Sequence, residues 1–138
     1  MLLPSNLSIQ SQEFLKRNSF ELAESNDNGM WKYYLWSNPE MQFSLTYDRG
    51  YYDCSILTIK MPFERMDIIR LLRFLKNDKI FYREELIKAN LMYTLTVNEY
   101  VELFYKNYNL INFFLKEFNL EKYDSYNKFE FSYDGLTN

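Results

Sequence analysis

Met41-Gln42-Phe43-Ser44-Leu45-Thr46-Tyr47-Asp48 decides the fold. Met41, Phe43, Leu45 and Tyr47 fall on every second position, and polar residues fill the positions between. Successive strand side chains point to opposite faces, so this pattern reads as a half-buried β-strand. An amphipathic helix would repeat its apolar residues every three or four positions instead.

Reading outward, Asn38-Pro39 marks a turn before this strand, and residues 30–37 form an aromatic-rich second strand. Further upstream, Phe20 and Leu22 alternate with Ser19 and Glu21, and Asn26-Asp27-Asn28-Gly29 is a dense turn signal. Downstream, Asp48-Arg49-Gly50 turns into a fourth strand over residues 51–60, which ends before Pro62. Connections this short make neighbouring strands pair as an antiparallel meander. Residues 11–18 allow a short helix carrying Phe14 and Leu15.

The second half changes period. Residues 64–77 read as a helix with Ile68, Leu71, Leu72 and Leu75 on one side and Arg70, Arg73 and Lys76 on the other. A second helix is expected over residues 82–90. Thr96-Val97-Asn98-Glu99 fits a capping box. From there Val97, Val101, Phe104, Tyr108, Ile111, Leu115 and Phe118 form one apolar seam over residues 97–118. Asn107 and Asn109 are weak helix formers, which leaves the continuity of that helix open. In the tail, Phe129, Phe131 and Tyr133 alternate with Lys128, Glu130 and Ser132, as a last strand would. The expectation is a single α+β domain over residues 1–138. An antiparallel meander of about four strands precedes a helical half packed on one sheet face.

Size and composition fit this. A chain of 138 residues is one ordinary domain. Such a domain buries roughly 68% of its unfolded surface, enough for a core without staples. The net charge of −3 lacks the basic bias usual in nucleic-acid binders, so nucleic acid is not the expected partner. No run of 18 apolar residues is present, and the start lacks a Sec-type leader, so no membrane contact and a cytoplasmic location are expected.

Chemistry is scarce. With no histidine, there is no Ser-His-Asp triad, Cys-His pair or His metal site. The 3 glycines build no phosphate loop, and one cysteine, Cys54, builds no thiolate zinc site. The chain is therefore expected to be no enzyme, with no cofactor, metal or small-molecule substrate. Cys54 reads as a small buried hydrophobe rather than a reactive thiol.

What remains is surface. If Met41, Phe43, Leu45 and Tyr47 face the core, then Asp48 faces outward, and Tyr34, Trp36, Tyr51 and Asp53 are expected beside it. Aromatics next to carboxylates suit a protein interface. A helix or the tail covering that face would instead make the aromatics ordinary core. The alternative surface is the basic stripe Arg70, Arg73 and Lys76, suited to phosphate or an acidic protein, or simply the wet face of a helix.

Three stretches carry a resemblance. Gly50-Tyr51-Tyr52-Asp53-Cys54-Ser55-Ile56, then residues 69–75, then Thr94-Leu95-Thr96 through Glu99-Tyr100-Val101-Glu102-Leu103-Phe104 resemble small bacterial immunity proteins of polymorphic-toxin and contact-dependent inhibition systems. That resemblance implies a protein that binds one cognate toxin domain and blocks it stoichiometrically. It brings no invariant functional residues. Another non-catalytic binding or regulatory protein, phage-encoded or an adaptor, and a weak nucleic-acid binder are the other readings.

Overall fold

A computed structural model describes residues 4, 7–60, 64–78 and 95–129. Helix α1 (Ile9–Arg17) is followed by strands β1 (Glu21–Asp27), β2 (Trp31–Ser37), β3 (Met41–Asp48), β4 (Tyr51–Thr58) and β5 (Arg65–Asp67). Helices α2 (Ile68–Lys76), α3 (Val97–Lys106), α4 (Tyr108–Lys116) and α5 (Leu120–Lys128) complete the described chain. The strands form one antiparallel sheet in sequence order, β1-β2-β3-β4-β5. The α+β architecture expected from the sequence is the one observed.

Two-residue turns set the pairing. Asn38 N–H donates to the Met41 carbonyl at 3.1 Å, leaving Pro39-Glu40 as the turn. The Asn38 Oδ1 accepts from the Glu40 and Met41 amides, each at 2.9 Å, which holds the turn closed. Phe43 therefore lies opposite Trp36, and Leu45 opposite Tyr34. Between β3 and β4 the turn is Arg49-Gly50, with φ of 52° and 95°. A type I′ hairpin turn needs positive φ at both central residues, and glycine takes it without strain. Ala23 is the extra residue of a bulge in β1, which returns Leu22 to the side of Trp36.

One sheet face carries the core. Phe43, Leu45, Cys54, Ile56 and Met66 are fully buried there under helices. The Phe104 ring of α3 stacks on Phe43 with centroids 4.5 Å apart and planes within 4°. Phe14 of α1 and Phe20 meet Phe104 edge-on at 5.5 and 5.6 Å. The Thr96–Glu99 capping box forms in both directions, at 3.2 and 3.1 Å.

Several expectations change. The seam is not one helix: it breaks at Asn107, whose side-chain amide donates to the Leu103 carbonyl at 2.8 Å. An asparagine that bonds local backbone competes with the helix ladder. Val97, Val101, Phe104, Ile111, Leu115 and Phe118 are buried all the same, and Tyr108 is half-buried. The helix expected over residues 64–77 starts only at Ile68. Arg65–Asp67 pairs with β4 instead, and the Asp67 carboxylate caps α2 by accepting from the Arg70 amide at 3.0 Å. Helix α5 was not anticipated; Asn119 caps it through the Lys122 amide at 2.9 Å. The helix over residues 82–90 lies outside the described residues, as does the proposed last strand beyond Phe129, which itself ends α5.

Phe104 is fully buried and touches four other rings, Phe14, Phe20, Phe43 and Tyr108. Phe104→Ala should cost about 3–5 kcal/mol in chemical denaturation. A loss below about 1 kcal/mol is what a surface position would give.

Candidate functional site

Register assigns every strand residue to a face. The face away from the core reads as cross-strand rows. Trp31, Asp48 and Tyr51 form the row at one end. Asn26, Tyr33, Thr46 and Asp53 form the next. Glu24, Leu35, Ser44, Ser55 and Asp67 form a third, and Glu21, Ser37, Gln42, Leu57 and Arg65 a fourth. Directly opposed residues on adjacent strands share a face, so these rows are real neighbours.

Asp48 is on the outer face, as the alternation of β3 implied; Tyr51 and Asp53 lie there too, and all three are exposed. Tyr34 and Trp36 are not. They are 4% and 2% exposed, stacked on each other at 6.0 Å on the core side, with Trp36 against Phe43 at 5.5 Å. The cause is the Pro39-Glu40 turn, which puts the even positions of β2 opposite the odd positions of β3. The aromatics that do face outward are Trp31 and Tyr33, both half-buried, with rings 6.0 Å apart and parallel within 8°. A count across the two-residue turn would have found them.

The basic stripe is also altered. Arg70 and Lys76 are exposed, but Arg73 is 2% exposed. Helix α2 is not a surface helix with one wet side. The sheet lies against it, and Phe114, Tyr126 and Phe129 meet its Phe74 edge-on at 5.7–5.8 Å. Cys54 is fully buried, and desolvation pushes its thiol pKa well up, with Asp67 and Asp53 adding to the shift. It behaves as a core residue.

The outer face is curled. Arg65 on β5 brings its guanidinium carbon to 6.0 Å from the Tyr33 ring on β2. On a flat sheet their Cα atoms would be three strands and four residues apart, a diagonal of about 19 Å, so the reach of the two side chains and the bend of the sheet together close the gap. Leu35, Ser44 and Leu57 on the floor of this face are 8%, 2% and 4% exposed, yet Leu35 and Leu57 stand apart from the helix-covered core. The curl leaves a shallow groove of about 660 Å³ lined by Glu24, Ser25, Asn26, Trp31, Tyr33, Thr46 and Arg65.

Electrostatically, Asp48 lies 3.8 Å from Arg49, with both side chains largely exposed, a contact of little strength. The Asp53 carboxyl is raised above the ordinary aspartate range, first by desolvation and then by the Asp48 carboxylate. What the face offers is flat aromatic area beside negative charge. Among the described residues, no three Cys, Asp or Glu side chains are grouped to hold a metal ion. Among them, too, no helix is long and apolar enough to cross a membrane. Comparison of the chain with protein families, with curated proteins and with solved structures finds no match.

Because the folded pKa of Asp53 lies above its unfolded value, ionising it removes stability as pH rises through that range. Asp48→Asn removes one of the two causes. A carboxyl-carbon NMR titration should then show Asp53 titrating at lower pH than in the parent. An unchanged Asp53 titration would mean that the two aspartates do not share a field.

Proposed function

We propose that the protein is a non-catalytic inhibitor that binds another protein through its outer sheet face, in the manner of the immunity proteins it resembles. The observation that carries this reading is the face itself. Trp31, Tyr33 and Tyr51 stand next to Asp48 and Asp53 on a curled sheet whose opposite side is packed by helices. Tyr and Trp bury much area with few rotors, which suits them to hold a complex together. Carboxylates beside them speed capture of a cationic domain, such as a toxin whose cleft binds phosphates. The partner class is thus a cognate toxin domain with a basic binding cleft, met in the cytoplasm. The stripe Arg70, Arg73 and Lys76 supports the nucleic-acid reading less well, because Arg73 is buried.

A toxin domain is expected in the adjacent upstream reading frame, and the test is co-expression with it. A one-to-one complex and restored growth are expected. Asp48→Lys with Asp53→Lys should slow association by about tenfold or more at low salt and weaken protection. Arg70→Glu with Lys76→Glu should change little. Full protection by the double aspartate variant, with its circular dichroism unchanged, would overturn the sheet-face proposal.

A further inference from the structure

We propose that the groove at Trp31 and Tyr33 is a seat for an arginine side chain of the partner, and that the chain's own Arg65 occupies it in the free protein. The proposal rests on the outer face being the binding face and names what that face grips.

Three observations converge on a guanidinium. The Trp31 and Tyr33 rings stack parallel to each other at the groove wall, with centroids 6.0 Å apart. Ring faces carry negative quadrupole charge, and a planar cation stacks on them better than a compact ammonium does. Arg65 lies over the Tyr33 face at 6.0 Å, so the groove already accepts this group, at the outer limit of a favourable contact.

Charge complementarity supplies the third. Asp48 is the cross-strand neighbour of Trp31, and Asp53 lies in the row of Tyr33, next to Thr46. Glu24 lines the groove from β1. Among the described residues, no lysine or arginine comes within ion-pair distance of Asp53 or Glu24. An incoming arginine can stack on the rings while its N–H groups meet one of these carboxylates, the fork geometry that guanidinium matches and ammonium does not. The same three carboxylates disfavour a phosphate, which Arg65 alone would otherwise attract.

Arg65 has a defined part in this. It sits at an edge strand of three residues, exposed, and reaches across the floor of the face. A partner arginine must displace it or share Tyr33 with it, so Arg65 weakens binding. That sign is opposite to the one expected of a surface arginine that recruits an anion.

The test uses the full chain and an acetylated, amidated Arg-Gly-Arg-Gly-Arg peptide, followed by NMR at the Trp31 indole N–H. Saturable shifts confined to the outer face are expected, and they should be weaker for the lysine counterpart. Arg65→Gln should tighten the arginine peptide by about threefold, the scale of one exposed cation–π contact. Asp48→Asn with Asp53→Asn should weaken it by about fivefold. Loss of peptide binding in Arg65→Gln, or inorganic phosphate shifting the same resonances in an Arg65-dependent way, would overturn the seat. Failure of the toxin complex with the peptide result intact would instead remove the inhibitor reading and leave the seat standing.

Discussion

Asn38 holds the molecule's central decision. Its side-chain oxygen closes the Pro39-Glu40 turn on two backbone amides, and its side-chain nitrogen donates to the Asn18 carbonyl at 3.0 Å and the Tyr108 hydroxyl at 3.2 Å. One buried side chain thus ties the central hairpin to the end of α1 and the start of α4. The turn length also fixes strand parity. A slip of one residue would exchange the two faces of β2 against β3. Trp36 and Tyr34 would then leave the core, and Trp31 and Tyr33 would enter it.

That parity divides the aromatics by task. Those on the helix side build a core in which Phe104 and Phe43 stack at the centre and Trp36, Phe14 and Phe20 pack around them. Those on the other side remain partly open beside carboxylates. The chemistry of Trp36 and Trp31 is the same; only the count from Asn38 separates a structural residue from a candidate contact. Curling of the sheet adds the groove, because it brings β5 close enough for Arg65 to reach Tyr33.

Much of this was legible from the sequence, and the misses have identifiable causes. The alternation of β3 placed Asp48 on the outer face correctly, and Tyr51 and Asp53, expected beside it, lie there too. The capping box at Thr96 named the start of α3. Tyr34 and Trp36 were misplaced because facing was judged strand by strand, without carrying the parity through the two-residue turn. Arg73 was misplaced because a spacing of three implies one wet side only for a helix packed on a single side, and α2 meets both the sheet and, at Phe74, the aromatics of α4 and α5. Helix α5 escaped notice because only Tyr126 among its residues is buried, too little to set a period. The break at Asn107 was flagged by propensity, but the local Asn107–Leu103 side-chain bond that accompanies it depends on one rotamer, which the sequence does not specify.

The assignment of faces is open to direct measurement, since the chain has 2 tryptophans and they lie on opposite sides of one strand. Trp36→Phe leaves Trp31 as the only indole, and Trp31→Phe leaves Trp36. Fluorescence with acrylamide quenching compares them. The Trp31-only protein should emit toward the red and be quenched readily, while the Trp36-only protein should emit toward the blue and resist quenching. The reverse order in proteins with unchanged circular dichroism would contradict the register, and with it the groove and the binding face built on it.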